Sequence, residues 1–253
     1  MIKQTILTLM ISALPLGAAD PLWRIDFNSE GEGAAPRALL MAGAGETSVS
    51  GPFEQSTDAE ADRMRIVPSD GPDGGMALEL RSGETQNGAG YLSVHRNGKL
   101  EGNTFTYEAL IQPSENTESF NKRWGGQQIL NQQPGGSLPQ FWFAYDGEGT
   151  VQFGTTAKAH LSGPVTPGAW SHLAGVVTLS EEEGGECRMK FYINGEPIGE
   201  ETFVRPPGQP PASLGLGRYL QSSKGDSFQG RIDAVAVTPA ALAPGGFTLP
   251  LPR

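Results

Sequence analysis

After the first twenty residues, helical periodicity is almost absent from the chain. Short runs rich in Val, Ile, Phe, Tyr and Trp recur instead between clusters of Gly, Pro, Asn and Asp. Apolar positions that alternate over four to eight residues between turn formers are the mark of half-buried strands. The pattern predicts thirteen of them: Leu22–Asn28, Met64–Val67, Met76–Arg81, Tyr91–His95, Thr104–Gln112, Gln127–Leu130, Gln140–Tyr145, Thr150–Gly154, Trp170–Leu179, Cys187–Asn194, Glu196–Val204, Ser213–Arg218 and Gly230–Thr238. Asn194-Gly195 stands between two such runs, and both residues tolerate the positive φ of a type I′ turn, so Phe191 to Phe203 is predicted to form a hairpin. Residues 31–62 show no clean period and read as a long loop with room for one short strand. No internal repeat or linker divides the chain. The expected fold is all-β, a two-sheet antiparallel sandwich over residues 20–253.

The N-terminus has a different character. Lys3 precedes an apolar stretch from Ile6 to Leu16, too short to span a bilayer, and Gly17-Ala18-Ala19 places small residues where a signal peptidase accepts them. Residues 1–19 are therefore read as a signal peptide, with Asp20 the new N-terminus and the protein exported to the periplasm, cell surface or medium. No later segment is apolar over eighteen residues, so no membrane insertion is expected. Cys187 is the sole cysteine, which excludes an intramolecular disulfide and leaves the fold to its core. About 230 residues are sufficient, since a chain of that size buries roughly 70% of its unfolded surface.

The formal charge of −10 becomes about −11 once Lys3 is removed, with 17 basic against 28 acidic residues. Nucleic acid and anionic lipid are disfavoured as partners, because both require basic surface to displace counterions. A neutral polymer, a cation or another protein fits the balance better.

From Gly74 onward the blocks GGMALELRSG, GYLSV, FTYEALIQP, VTPGAWSHLAGVVTL, MKFYINGEPIGEETF, SLGLGR and FQGRIDAVAVTPAAL follow one another in the order of a known family. They resemble the laminin G-like, concanavalin A-like lectin and glucanase domains. The resemblance covers roughly the last two thirds of the chain and implies a jelly-roll sandwich. It leaves the activity open, because the same architecture carries lectins, adhesion domains, glycosidases and lyases. Ala234 and Asn194 stand where the family pattern has acidic residues, which weakens the transfer of a family calcium site.

Candidate chemistry is sparse. Glycoside hydrolysis asks for two carboxylates about 5 to 9 Å apart. The strand FTYEALIQP offers only Glu108, and the acidic runs at 58–62 and 181–183 fall in predicted loops. No catalytic residue is assigned, and a hydrolase or lyase stands as the alternative to a binding or adhesion module. His95, His160 and His172 have no metal-ligand spacing, and His172, two residues from Trp170, reads as structural. Calcium is the one cofactor left open, with Asp70, Asp73 and Asp233 as candidate oxygen ligands. Asp70 to Gly75 reads equally as a turn into the next strand.

Sugar recognition on a sandwich uses exposed aromatic faces flanked by hydrogen-bonding side chains. In FWFAY, period 2 sets Phe141, Phe143 and Tyr145 toward the core and Trp142 to the other face, where it either binds ligand or packs under loops. Tyr192 occupies the same parity in MKFYIN. Trp124 with Arg123, and Tyr219 with Arg218, are the remaining candidates. The expected protein is an exported, non-catalytic module that engages a glycan or an extracellular protein through loops at one edge and the concave face.

Overall fold

The computed structural model describes residues 21–27, 41–42, 47–50, 64–72, 74–81, 92–96, 99–115, 126–133, 140–217 and 228–252. The described residues form sixteen strands: β1 (Trp23–Asp26), β2 (Met41–Ala42), β3 (Thr47–Ser50), β4 (Met64–Pro68), β5 (Met76–Leu80), β6 (Leu92–Arg96), β7 (Thr104–Pro113), β8 (Gln127–Gln133), β9 (Phe141–Tyr145), β10 (Thr150–Thr155), β11 (His160–Pro164), β12 (Ser171–Thr178), β13 (Glu186–Ile193), β14 (Glu196–Val204), β15 (Ser213–Leu216) and β16 (Gly230–Thr238). They form two antiparallel sheets. The nine-stranded sheet runs β14-β13-β12-β7-β16-β1-β2, with β5 also against β16 and β4 beyond β5; the seven-stranded sheet runs β11-β10-β9-β8-β15-β6-β3.

The all-β sandwich expected from the sequence is the fold observed, with three strands beyond the thirteen. Two, β2 and β3, lie in the stretch read as a loop with one short strand, and a two-residue strand is too short to display a period. The third, β11, is an edge strand with the sequence HLSGP, whose mostly exposed positions supply no apolar alternation. The hairpin of β13 and β14 forms as read. Ile193 faces Glu196, and Asn194 and Gly195 between them have φ of 53° and 82°, as a type I′ turn requires.

The two inner faces interleave aromatic rings. Phe143 lies 5.1 Å from Phe153, Phe153 lies 6.0 Å from Phe191, and Tyr107 lies 5.5 Å from Phe141, centroid to centroid. These rings come from β7 and β13 on one sheet and from β9 and β10 on the other, so the sheets are held by side chains that alternation directs inward. Burial pushes the Tyr107 hydroxyl well above its ordinary pKa, with the nearby Gln132 side chain acting in the opposite direction.

The last residues cross the outer face of the nine-stranded sheet as a strap. Thr106 donates its hydroxyl to the Ala240 carbonyl, and the Leu242 amide donates back to that hydroxyl. Leu249 packs with Leu110, Ala234, Ala236 and Trp170 in a second apolar cluster, separate from the core between the sheets.

Candidate functional site

On β9, Phe141, Phe143 and Tyr145 belong to the core, so Trp142 and Ala144 point to the outer face of the seven-stranded sheet. Pairing then fixes Trp142's neighbours. One row across the strands reads His160, Gly154, Trp142, Asn131 and Gly215; the adjacent row reads Ser162, Gln152, Ala144 and Gln128.

Gly154 is what lets the indole lie down. A Cβ on Gly154 would stand 2.1 Å from Cζ2 of Trp142, and 2.4 and 2.6 Å from its two bonded neighbours, Cη2 and Cε2. A point beside the ring edge would be markedly farther from those neighbours, so near-equal distances place it over the ring face. The indole rests flat on the bare backbone of Gly154, and half-buried Trp142 turns its second face away from the sheet. His160 and Ser162 are exposed and Gln152 is half-buried on one side of it, whereas Asn131 and Gln128 are buried on the other. An aromatic plate with an imidazole, a hydroxyl and an amide beside it can stack on the C–H face of a sugar and hydrogen-bond to its hydroxyls. None of the seven strands of this sheet contains Asp or Glu. Asp146, in the turn from β9 to β10, accepts hydrogen bonds from the Glu148 and Thr150 amides and serves the turn.

Tyr192 is on the opposite side of the molecule. It packs edge-on against Phe247 of the strap, with ring centroids 5.5 Å apart, and borders a groove of about 480 Å³ lined also by Val176, Arg188, Lys190 and Leu242. Trp142 and Tyr192 share a parity yet belong to different sheets, since parity sets a side chain's face and pairing sets its sheet. Arg123, Trp124, Arg218, Tyr219 and Asp73 lie outside the described residues.

The buried Asp233 reaches Ser69 in the segment that carries the exposed Asp70. Ser69 donates its hydroxyl to Oδ2 of the fully buried Asp233 at 3.2 Å, and Trp170 Nε1 donates to Oδ1 of Asp70 at 2.9 Å. The Trp170 hydrogen bond, outweighing a small burial effect, holds the Asp70 carboxyl below its usual range. Gly74 and Gly75 adopt positive φ, and Ser69 donates its amide to the Gly75 carbonyl, so the segment is a turn leading into β5. Among the described residues no group of three or more His, Cys, Asp and Glu is arranged to hold a metal. Cys187 is buried, which raises its thiol pKa.

His172 and Glu108 form a fully buried pair, with Nε2 3.1 Å from Oε1. The same carboxylate accepts hydrogen bonds from the Thr248 amide and hydroxyl and from the Leu249 amide, so it fastens the strap to β7. Burial raises the Glu108 pKa, but the hydrogen bonds from His172, Thr248 and Leu249 and the charge of His172 outweigh it and bring the net value below 4.5. A carboxylate whose pKa is depressed on folding stabilises above its unfolded value, and that stabilisation is lost as pH falls through the folded one. Wild-type melting temperature is therefore expected to fall as the medium is acidified below pH 4.5. Thermal melts across an acid pH series should show Glu108→Gln with a flatter dependence; equal slopes would assign the acid sensitivity to other groups.

Comparison with known proteins agrees with this architecture. The family profile described as the concanavalin A-like lectin/glucanases superfamily matches residues 86–245, more than half of the chain. No curated protein matches in sequence. Among solved structures, domain 4 of AbnA, a GH43 extracellular arabinanase from Geobacillus stearothermophilus in complex with arabinotriose, is similar at a TM-score of 0.55 and 17% identity, covering 90% of this chain and 97% of that one. The botulinum neurotoxin type G receptor binding domain is similar at 0.56 and 9%, covering 90% of this chain and 50% of that one. The binding domain of Paraclostridial mosquitocidal protein 1 is similar at 0.51 and 14%, covering 89% and 50%. The chain thus spans about half the length of the two toxin domains. At these identities the likeness is one of fold.

Proposed function

The chain belongs to the concanavalin A-like lectin/glucanases superfamily, and from that premise we propose that it is an exported, non-catalytic module that binds a neutral glycan on the outer face of its seven-stranded sheet. The observation that carries this reading is Trp142 lying face-down on Gly154. The flanking Gln152, His160 and Ser162 supply hydrogen-bonding groups that can address sugar hydroxyls. A further fact supports it: a domain of the same fold from an arabinanase is seen in complex with arabinotriose. Export rests on the N-terminal apolar stretch before Ala19, and no helix among the described residues is long and apolar enough to cross a membrane.

The test is affinity electrophoresis of the chain from Asp20 through gels containing arabinan and other neutral polysaccharides, with calcium and with chelator, followed by assay for new reducing ends. Retardation without new ends supports the module. New ends would move the protein to the enzymes, and free migration in every gel would overturn the glycan reading.

A further inference from the structure

A second, chemically different surface lies on the outer face of the nine-stranded sheet. Register aligns Arg65 of β4, Glu79 of β5, Arg231 of β16 and Gln112 of β7 in one row across four strands. Arg65 Nε is 2.8 Å from Glu79 Oε2. Arg81 folds back onto the same oxygen through Nε at 2.7 Å and Nη2 at 2.6 Å, and Arg231 Nε reaches Oε1 at 3.4 Å. Three guanidiniums thus share one carboxylate.

Their depths differ in a consequential way. The Glu79 side chain is only 13% exposed, whereas those of Arg65, Arg81 and Arg231 are 43%, 48% and 32% exposed. The anion is a pedestal, and the cations form the surface above it. A guanidinium has five N–H donors, of which Glu79 draws on one or two from each arginine. Asp70, 3.8 Å from Arg231 Nη1, offers a second negative charge from the rim. Like charges crowded on neighbouring strands repel, and a further oxyanion shared among them would relieve that repulsion.

The row opens onto a cleft of about 280 Å³ whose lining includes Arg81, Arg231, Gln112, Ser114 and Gly168, with Glu115 on its wall. Its volume lies close to the lower end of ligand sites, about 300 Å³. Its polar groups include the Gln112 amide, whose Nε2 donates to the Gly168 carbonyl at 2.9 Å, and the Ser114 hydroxyl, groups of a kind that can address sugar hydroxyls next to an acidic substituent. We propose that Arg65, Arg81 and Arg231 form a binding site for the acidic group of a charged glycan, a uronate carboxylate or a sulfate ester. The site uses none of the residues around Trp142 and stands or falls separately from the neutral-glycan reading.

The experiment is calorimetric titration of the chain from Asp20 with polygalacturonate, dextran sulfate, unsubstituted dextran and polyglutamate, each at low and at physiological salt. The site predicts binding of polygalacturonate or dextran sulfate, whichever supplies the oxyanion, with affinity falling as salt rises. The paired change Arg81→Gln with Arg231→Gln should weaken that binding about tenfold or more, because two charge-assisted hydrogen-bond donors are lost. Lys99→Gln, which removes an exposed cation elsewhere, should leave it unchanged. Should the paired variant fail to fold, the single change at the more exposed arginine, Arg81→Gln, carries the test: it should weaken binding severalfold, and unchanged affinity would overturn the site. Absence of binding to both acidic glycans, wild-type affinity in the folded double variant, or equal binding of polyglutamate would each overturn it as well.

Discussion

Replacing Glu108 by alanine should lower the unfolding free energy by about 3–5 kcal/mol, the cost of removing a buried carboxylate on which several hydrogen-bond donors depend. At roughly 2–4 °C per kcal/mol for a chain of this size, the melting temperature should drop by about 10 °C. The magnitude follows from what the carboxylate holds. His172, the Thr248 hydroxyl and the amides of Thr248 and Leu249 all converge on the Glu108 carboxylate, which is itself fully buried. Alanine would strand each of these groups without its acceptor and loosen the strap over Leu110, Ala234 and Ala236. Chemical denaturation of the two proteins measures the difference. A loss below about 1 kcal/mol, the ordinary effect of a point substitution, would mean that the strap is held by its apolar contacts alone.

The second large effect concerns binding and leaves Trp142 in place. Gly154→Val puts a branched side chain where the Cβ alone would already stand 2.1 Å from the indole, so the ring must lift off the strand. Valine itself is well suited to a strand, and the disturbance should be confined to the outer face. If sugar stacks on an indole held flat by Gly154, glycan affinity should fall by roughly thirtyfold, the loss expected when a central aromatic contact is disrupted. Affinity electrophoresis of the variant in the polysaccharide that retards the wild type gives the result. Unchanged retardation would show that the ring's orientation does not matter to binding.

Much of this fold was legible in the sequence because its physics is local. Alternation in FWFAY and MKFYIN told the inner face of each strand from the outer, and Asn194-Gly195 announced its hairpin through positive φ. What alternation could not supply was the sheet to which a strand belongs. Trp142 and Tyr192 therefore read alike, yet they sit on opposite outer faces. Strand pairing, which is non-local, also hid the partners that matter most. Glu108 looked like a lone acid until β12 placed His172 against it and the chain's end supplied Thr248, 140 residues away. Gly154 read as a strand end, and its role as the bed for Trp142 emerges only from the register of β9 with β10. Arg65 and Arg81 are near neighbours along the chain, but Arg231 joins them from a strand more than a hundred residues further on, so no short window contains the group.

The most direct test of the proposed function is a titration of the chain from Asp20 and of its Trp142→Ala variant with oligosaccharides of the polysaccharide that retards it, alongside melting curves of both proteins. The account predicts that the wild type binds and that the variant loses affinity by roughly thirtyfold or more while still unfolding in a cooperative transition. Equal affinity of the two proteins would contradict it and remove the outer face of the seven-stranded sheet from glycan recognition.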